Sequence, residues 1–162
     1  MPGDYPHVPH NDPGDDAAAC LATLALAHGI DCTFERARKL LRENDRGNNL
    51  AQLREAAEAV GFMAKGVKGP FDALTKIPLP AVAHTKDSDG GHFVILHEVT
   101  PEGVIVGFGS GIVAMSFEAF QEQWTGNLLI VVPSTPRAAR RSVMDAVLQV
   151  LRRWLGPSTK SS

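Results

Sequence analysis

The chain has 162 residues, 44% of them hydrophobic, enough for one globular domain that buries most of its apolar surface without metal or disulfide staples. Its 16 basic side chains are balanced by 18 acidic ones and its isoelectric point is near 6.3, which excludes the basic footprint that phosphate backbones select, so nucleic acid is not an expected partner. The uncharged, largely apolar stretch Ala17 to Ile30 is fourteen residues, too short to span a bilayer.

Only two cysteines occur, Cys20 and Cys32, each in apolar helical sequence, and no charged-then-apolar leader opens the chain. A reducing, cytoplasmic setting is therefore expected.

Met1 to Gly14 holds four prolines and few large apolar groups, so it is expected to run extended across a surface. From Asp15 and Asp16 through AAACLATLALAH to Gly29, two acids at the start and a glycine at the end describe a capped helix. Nearly every face of it is apolar, so it should be buried. Thr33 is positioned to cap a second helix through Leu41, with Phe34, Ala37, Leu40 and Leu41 on one stripe. Asn48 or Asn49 is positioned to cap a third, from Leu50 to Val60, ended by Gly61. Both are amphipathic and should cover the first.

After Pro70 the texture changes to short β-rich runs punctuated by glycine and proline: PAVAH around Val82, HFVILHEV from His92, GVIVGF from Gly103, GIVAMS from Gly111 and NLLIVV from Asn127. Helices first and closely spaced strands second give an α+β fold with a small antiparallel sheet. Beyond Pro136 the texture changes again. Arg137, Arg140, Arg141, Arg152 and Arg153 accompany an apolar stripe of Val143, Met144, Val147, Leu148, Leu151, Trp154 and Leu155, which predicts a basic amphipathic helix. The expected organisation is an extended segment over 1–14, one domain over 15–133, and this helix with a disordered end over 134–162.

The order of these pieces resembles the double-glycine-leader peptidases, the papain-like domains at the N-terminus of bacteriocin and type I secretion ABC transporters. The resemblance runs roughly from Val8 to Pro133. VPHNDPGDDAAACL stands where that family has Val-x-Gln, four residues, then Asp-Cys-Gly-x-Ala-Cys-Leu. GNNLAQLREAAEAVGFMAKGV, LPAVAH, GHFVIL and FEAFQEQWTGNLLIV follow in the family's order, and several ordered matches are far more specific than one. The resemblance implies a papain-like cysteine peptidase fold, with helices around a buried central helix packed on a small antiparallel sheet.

It also implies a damaged site. On this register Asp16 holds the position of the cysteine nucleophile, His10 that of the oxyanion-stabilising glutamine, Ala17 that of the following glycine, and Gly107 that of the aspartate that orients the histidine. Of the catalytic set only His92 remains. A papain-like reaction needs a thiolate to attack the peptide carbonyl. A carboxylate in the first turn of a helix is expected instead to be an ionised acceptor and a poor nucleophile. Cys20, one turn deeper on the same face, is expected to be structural, and Cys32 has no histidine expected near it. His28 is expected at a helix C-terminus, where positive charge is favoured. His7, His84 and His97 read as surface or strand-end residues.

Three functional readings follow. The first is a catalytically inactive peptidase-like domain that binds a peptide or protein segment, since an extended chain in a papain-like cleft still gains backbone hydrogen bonds and pockets. Within the resembling family, cysteine-less domains of this kind tether a secreted substrate. The second is an active hydrolase, using Cys20 or a divalent metal on His10, Asp16 and His92, a two-histidine, one-carboxylate set; no cofactor is otherwise expected. The third is a structural or regulatory partner with a vestigial cleft. No GxxxxGK[ST] loop is present, so a transport role requires a separate partner such as a membrane transporter, with the basic C-terminal helix as a contact for that transporter or for a membrane surface.

Overall fold

The computed structural model describes residues 5–42, 49–88, 90–109, 111–133 and 148–149. Asp12 opens the folded part by accepting the Gly14 N–H at 2.9 Å, capping a single 3-10 turn, Pro13–Asp15. That turn runs directly into α1, Asp16–His28. The two acids expected as helix caps therefore divide the work with Asp12, and Asp15 itself makes no capping bond. Gly29 ends the helix in the left-handed region, φ 67°, the conformation that glycine adopts without a Cβ penalty. Every residue of α1 from Asp16 to Ala25 is buried, as its all-round apolar sequence requires.

Helix α2, Phe34–Arg42, starts where the Thr33 hydroxyl accepts the Arg36 N–H at 3.1 Å. Helix α3, Leu50–Val60, has the full reciprocal cap: the Asn49 side chain accepts from Gln52 N–H and the Gln52 side chain accepts from Asn49 N–H. Such a cap contributes about 1 kcal/mol. Ala37 and Leu41 of α2 and Leu53, Ala56 and Ala57 of α3 pack with Leu21 and Leu24 of α1, so the outer helices lay their apolar stripes on the central one.

The sheet has six strands: β1, Phe62–Lys68; β2, Ala81–Asp87; β3, Gly90–Thr100; β4, Gly103–Phe108; β5, Gly111–Ser116; and β6, Trp124–Pro133. Their spatial order is β1-β6-β2-β3-β4-β5, and every pairing is antiparallel. Successive side chains of the central strands go to opposite faces. Val82, Phe93, Ile95, Leu129 and Val131 face the three helices. Ala81, Ala83, Val94, Leu96, Leu128 and Ile130 face a second core with Ala73, Leu74, Val104, Val106 and Phe120. Both faces being covered explains why these strands read as continuous apolar runs.

A strand and an α-helix depart from the sequence reading, as does a 3-10 helix over Phe71–Lys76. FMAKGVK forms the edge strand β1, paired with β6 from Phe62↔Pro133 to Lys68↔Asn127. FEAFQEQ forms the short helix α4, Phe117–Gln123, capped by Ser116. The expected basic C-terminal helix lies outside the described residues except for a helical pair at Leu148 and Gln149. No helix among the described residues is long and apolar enough to cross a membrane.

Candidate functional site

The first turn of α1 meets the start of β3. Pairing of β3 with β4 begins only at Ile95↔Gly107, so Phe93 lies past the last pair of that ladder and its N–H is available to a side chain. Asp16 takes it: Oδ2 accepts Phe93 N–H at 2.9 Å, across 77 residues of sequence. Its neighbour Asp15 turns instead to Arg38 of α2, at 3.1 Å. Asp16 is only 5% exposed. Burial pushes its carboxyl above the ordinary carboxylate range, against the opposing pull of the Phe93 and Ala17 N–H groups and of His92 and His10. The sequence argument from the helix N-terminus alone, which made Asp16 a stabilised anion, is thereby corrected: desolvation is the larger effect.

His92 stands beside this carboxyl, with Nδ1 3.7 Å from Asp16 Oδ2. Its other nitrogen, Nε2, is 3.2 Å from Oδ2 and 3.3 Å from Oδ1 of Asp87, at the end of β2. The register that pairs Thr85 with His92 and Asp87 with Gly90 brings the two side chains together. Sequence reasoning missed Asp87. The available signal was the TKDSDGGH run, a turn of Asp and Gly between two apolar strands, which predicts a hairpin with its flanking residues in cross-strand reach. The expectation that His92 lacks a carboxylate behind it does not hold.

That expectation had rested on Gly107, which does not face His92. A Cβ at Gly107 would lie 2.8 Å from His97 Nε2 and 3.0 Å from His7 Nδ1, so the position points into a different pair of rings. The β4 residue turned towards the site is Phe108, whose ring meets His92 edge-on at 5.6 Å and His10 at 5.9 Å between centroids. It is 41% exposed.

His10 reaches the site on the extended N-terminal segment. That segment is held by Val8 N–H on the Thr23 hydroxyl of α1 at 3.0 Å, His10 N–H on Gly109 O at 3.2 Å, His7 Nε2 against Gly109 O at 3.0 Å, and the Tyr5 hydroxyl on Glu98 of β3. Burial lowers the His10 imidazole, although Asp16 opposes this. Its Nδ1 is buried without a hydrogen-bond partner among the described residues. His10, Asp16 and His92 thus gather at one end of α1. Among the described residues no group of three or more His, Cys, Asp or Glu is placed to hold a metal ion.

The cysteines are elsewhere. Cys20 is 3% exposed and belongs to the helix-side core, where burial pushes its thiol well above the ordinary range. Burial also raises the Cys32 thiol. A thiol buried in an apolar core is a poor nucleophile, which weighs against the reading that recruits Cys20. The remaining histidines also differ from expectation. His97 is 7% exposed, not a surface residue, and its ring lies tilted against that of Tyr5, 5.0 Å between centroids. His84 Nδ1 is 3.0 Å from the Thr125 hydroxyl. His28 closes α1, the helix C-terminus expected for it, but it lies edge-on to Phe62 and is lowered by burial, the reverse of the helix-end effect.

Residues 4–136 match the peptidase C39 family profile, which spans most of the chain and includes Asp16, His92 and the segment carrying His10. The chain belongs to the peptidase C39 family. Among solved structures, the peptidase domain of Streptococcus ComA, described as a bi-functional ABC transporter involved in a quorum sensing pathway, superposes with a TM-score of 0.73 at 26% identity, covering 80% of this chain and 98% of that one. A double glycine motif protease from an AMS/PCAT transporter, in complex with its leader peptide, gives 0.72 at 25% identity over 79% of this chain and 91% of that one. The lactococcin-G-processing and transport ATP-binding protein LagD of Lactococcus lactis subsp. lactis is 27% identical over 126 residues, 75% of this chain. The match spans only 18% of LagD. An uncharacterized protein of Methanothermobacter thermautotrophicus is 27% identical over 114 residues, 70% of this chain and 78% of its own length. The helix-and-antiparallel-sheet architecture is that of the C39 peptidase domains of ABC transporters.

Proposed function

We propose that this C39 domain binds a peptide segment without cutting it, with a secretion substrate or its leader as the ligand class. The observation that carries the reading is Asp16: a carboxyl stands at the head of α1 beside His92, and its Oδ2 is engaged by the Phe93 N–H at 2.9 Å. A carboxylate attacking a peptide carbonyl forms a mixed anhydride, a far worse exchange than the thioester a thiolate forms, and here the oxygen lone pairs are partly committed to the backbone. Neither Cys20 nor Cys32 offers a thiolate in its place.

Binding is supported by what remains. Double-glycine leader recognition in the AMS/PCAT relative supplies the precedent for the ligand, and the half-exposed Phe108 beside His92 and His10 offers an aromatic face to a bound chain. An extended peptide gains its affinity from backbone hydrogen bonds and side-chain contacts, none of which needs a nucleophile. The expected setting is the cytoplasmic face of a membrane transporter, where the domain would serve as a tether. A second reading, a regulatory or structural domain with a closed cleft, is favoured by the same ring of Phe108, which packs on both histidines.

The experiment is titration of a fluorescent leader peptide ending in Gly-Gly, followed by anisotropy. Saturable binding that weakens in Phe108→Ala and His92→Ala is expected. Absence of saturable binding rejects the tether and leaves the closed-cleft reading.

A further inference from the structure

We propose that Asp87 is the positioning residue of this site, holding His92 by Nε2 so that Nδ1 stays turned on position 16. The proposal rests on reading position 16 as the seat of the nucleophile. It adds that the chain retains the oriented imidazole a thiol there would need.

Three observations carry it. Both carboxyl oxygens of Asp87 lie within 3.3 Å of His92 Nε2, while Nδ1 lies 3.7 Å from Asp16; one nitrogen is held and the other is presented. A base whose far nitrogen is hydrogen-bonded to a third group is the arrangement that fixes tautomer and ring orientation in nucleophile-activating sites. Second, β4 offers no carboxylate for this purpose, since Gly107 faces His97 and His7 and Phe108 is apolar; the role has moved to the β2–β3 hairpin. Third, the ring is boxed in. Phe108 packs against it edge-on, and the ladder from Ala81↔Leu96 to Asp87↔Gly90 ties the strands that carry Asp87 and His92. Asp87 is 45% exposed along its side chain, so solvent screens the pair and its contribution is orientation rather than stability.

The consequence is that Asp16→Cys creates an activated thiol. In the test, that variant is alkylated with iodoacetamide across a pH series and the labelled peptide is read by mass spectrometry, which separates the new thiol from Cys20 and Cys32. His92 Nδ1 accepts the thiol proton, the thiolate sulfur forms a C–S bond to the methylene carbon as the C–I bond breaks, and iodide leaves. At about pH 6 the variant is expected to react about tenfold faster than Asp16→Cys/His92→Ala. Asp16→Cys/Asp87→Asn should lose most of that advantage, with its pH–rate profile displaced towards that of an ordinary thiol, about 8.5. A profile that Asp87→Asn leaves unmoved overturns the proposal.

Because Asp16→Cys removes the acceptor of the Phe93 N–H, a second measurement uses Asp87→Asn alone, with ¹⁵N NMR of the His92 ring. The charged and titratable groups facing that ring are Asp16 from α1 and Asp87 and His84 from β2. Loss of the bias that keeps the proton on Nε2 is expected; an unchanged tautomer ratio overturns the proposal. Peptide binding is measured on the unsubstituted chain, so failure of the tether and failure of the positioning role are separate results.

Discussion

Acidification should unlatch the N-terminal segment through His97. This ring is 7% exposed, its Nε2 is buried without a hydrogen-bond partner among the described residues, and burial, helped by the nearby His7, holds it down at about 4. In the unfolded chain the same ring takes its proton near 6.5. Between those values the unfolded state binds more protons, so the stability tied to a neutral His97 is fully present above about 6.5 and is lost as the pH falls towards about 4. At about pH 4.5 the loss is roughly 2.5 kcal/mol, taking about 1.4 kcal/mol for each pH unit and allowing for partial protonation of the folded state. The assay is urea denaturation of the native chain and of His97→Phe at about pH 7.5 and about pH 4.5. His10, His28 and His84, also lowered by burial, weaken both chains on acidification, and the raised Asp16 works the other way in both. The difference between the two chains therefore isolates His97. The variant should lose less stability by roughly 2 kcal/mol; equal losses in the two chains refute the argument.

Two further outcomes follow from packing. Gly107→Ala puts a methyl 2.8 Å from His97 Nε2 and 3.0 Å from His7 Nδ1, an overpacking that should cost about 1–3 kcal/mol in chemical denaturation; a neutral result means the rings move aside freely. Neither Cys20 nor Cys32 should react with a disulfide reagent at neutral pH until denaturant is added, given their burial and raised thiols, and rapid labelling of the native chain would show that one of them carries a thiolate after all.

Helices α1, α2 and α3 were readable because each carries local signals that agree with its packing: Thr33 and Asn49 as caps, Gly29 and Gly61 as stops, and apolar stripes that match the buried faces. The central strands were readable from their apolar runs. Strand β1 was not, because an edge strand buried mainly at Phe62 and Ala64, with Lys65 and Lys68 exposed, lacks a sustained two-residue period. Its identity is set by pairing with β6, whose partner residues lie 59 to 71 positions further along the chain. The same division holds at the site. Asp16, His10 and His92 were found by sequence order, and the fold brings them to one end of α1. Asp87 and Phe108 were missed because their roles depend on strand register, which decides that Phe108 rather than Gly107 turns towards His92 and that Asp87 stands opposite the hairpin from it. The raised carboxyl of Asp16 was also out of reach, since sequence shows the helix terminus but not the depth of burial.

Mass spectrometry of a Gly-Gly leader peptide after prolonged incubation with the purified chain tests the account most directly. An acid at the head of α1 predicts that the peptide is recovered intact. Fragments cut after the second glycine, formed by the native chain and abolished in His92→Ala, would contradict it.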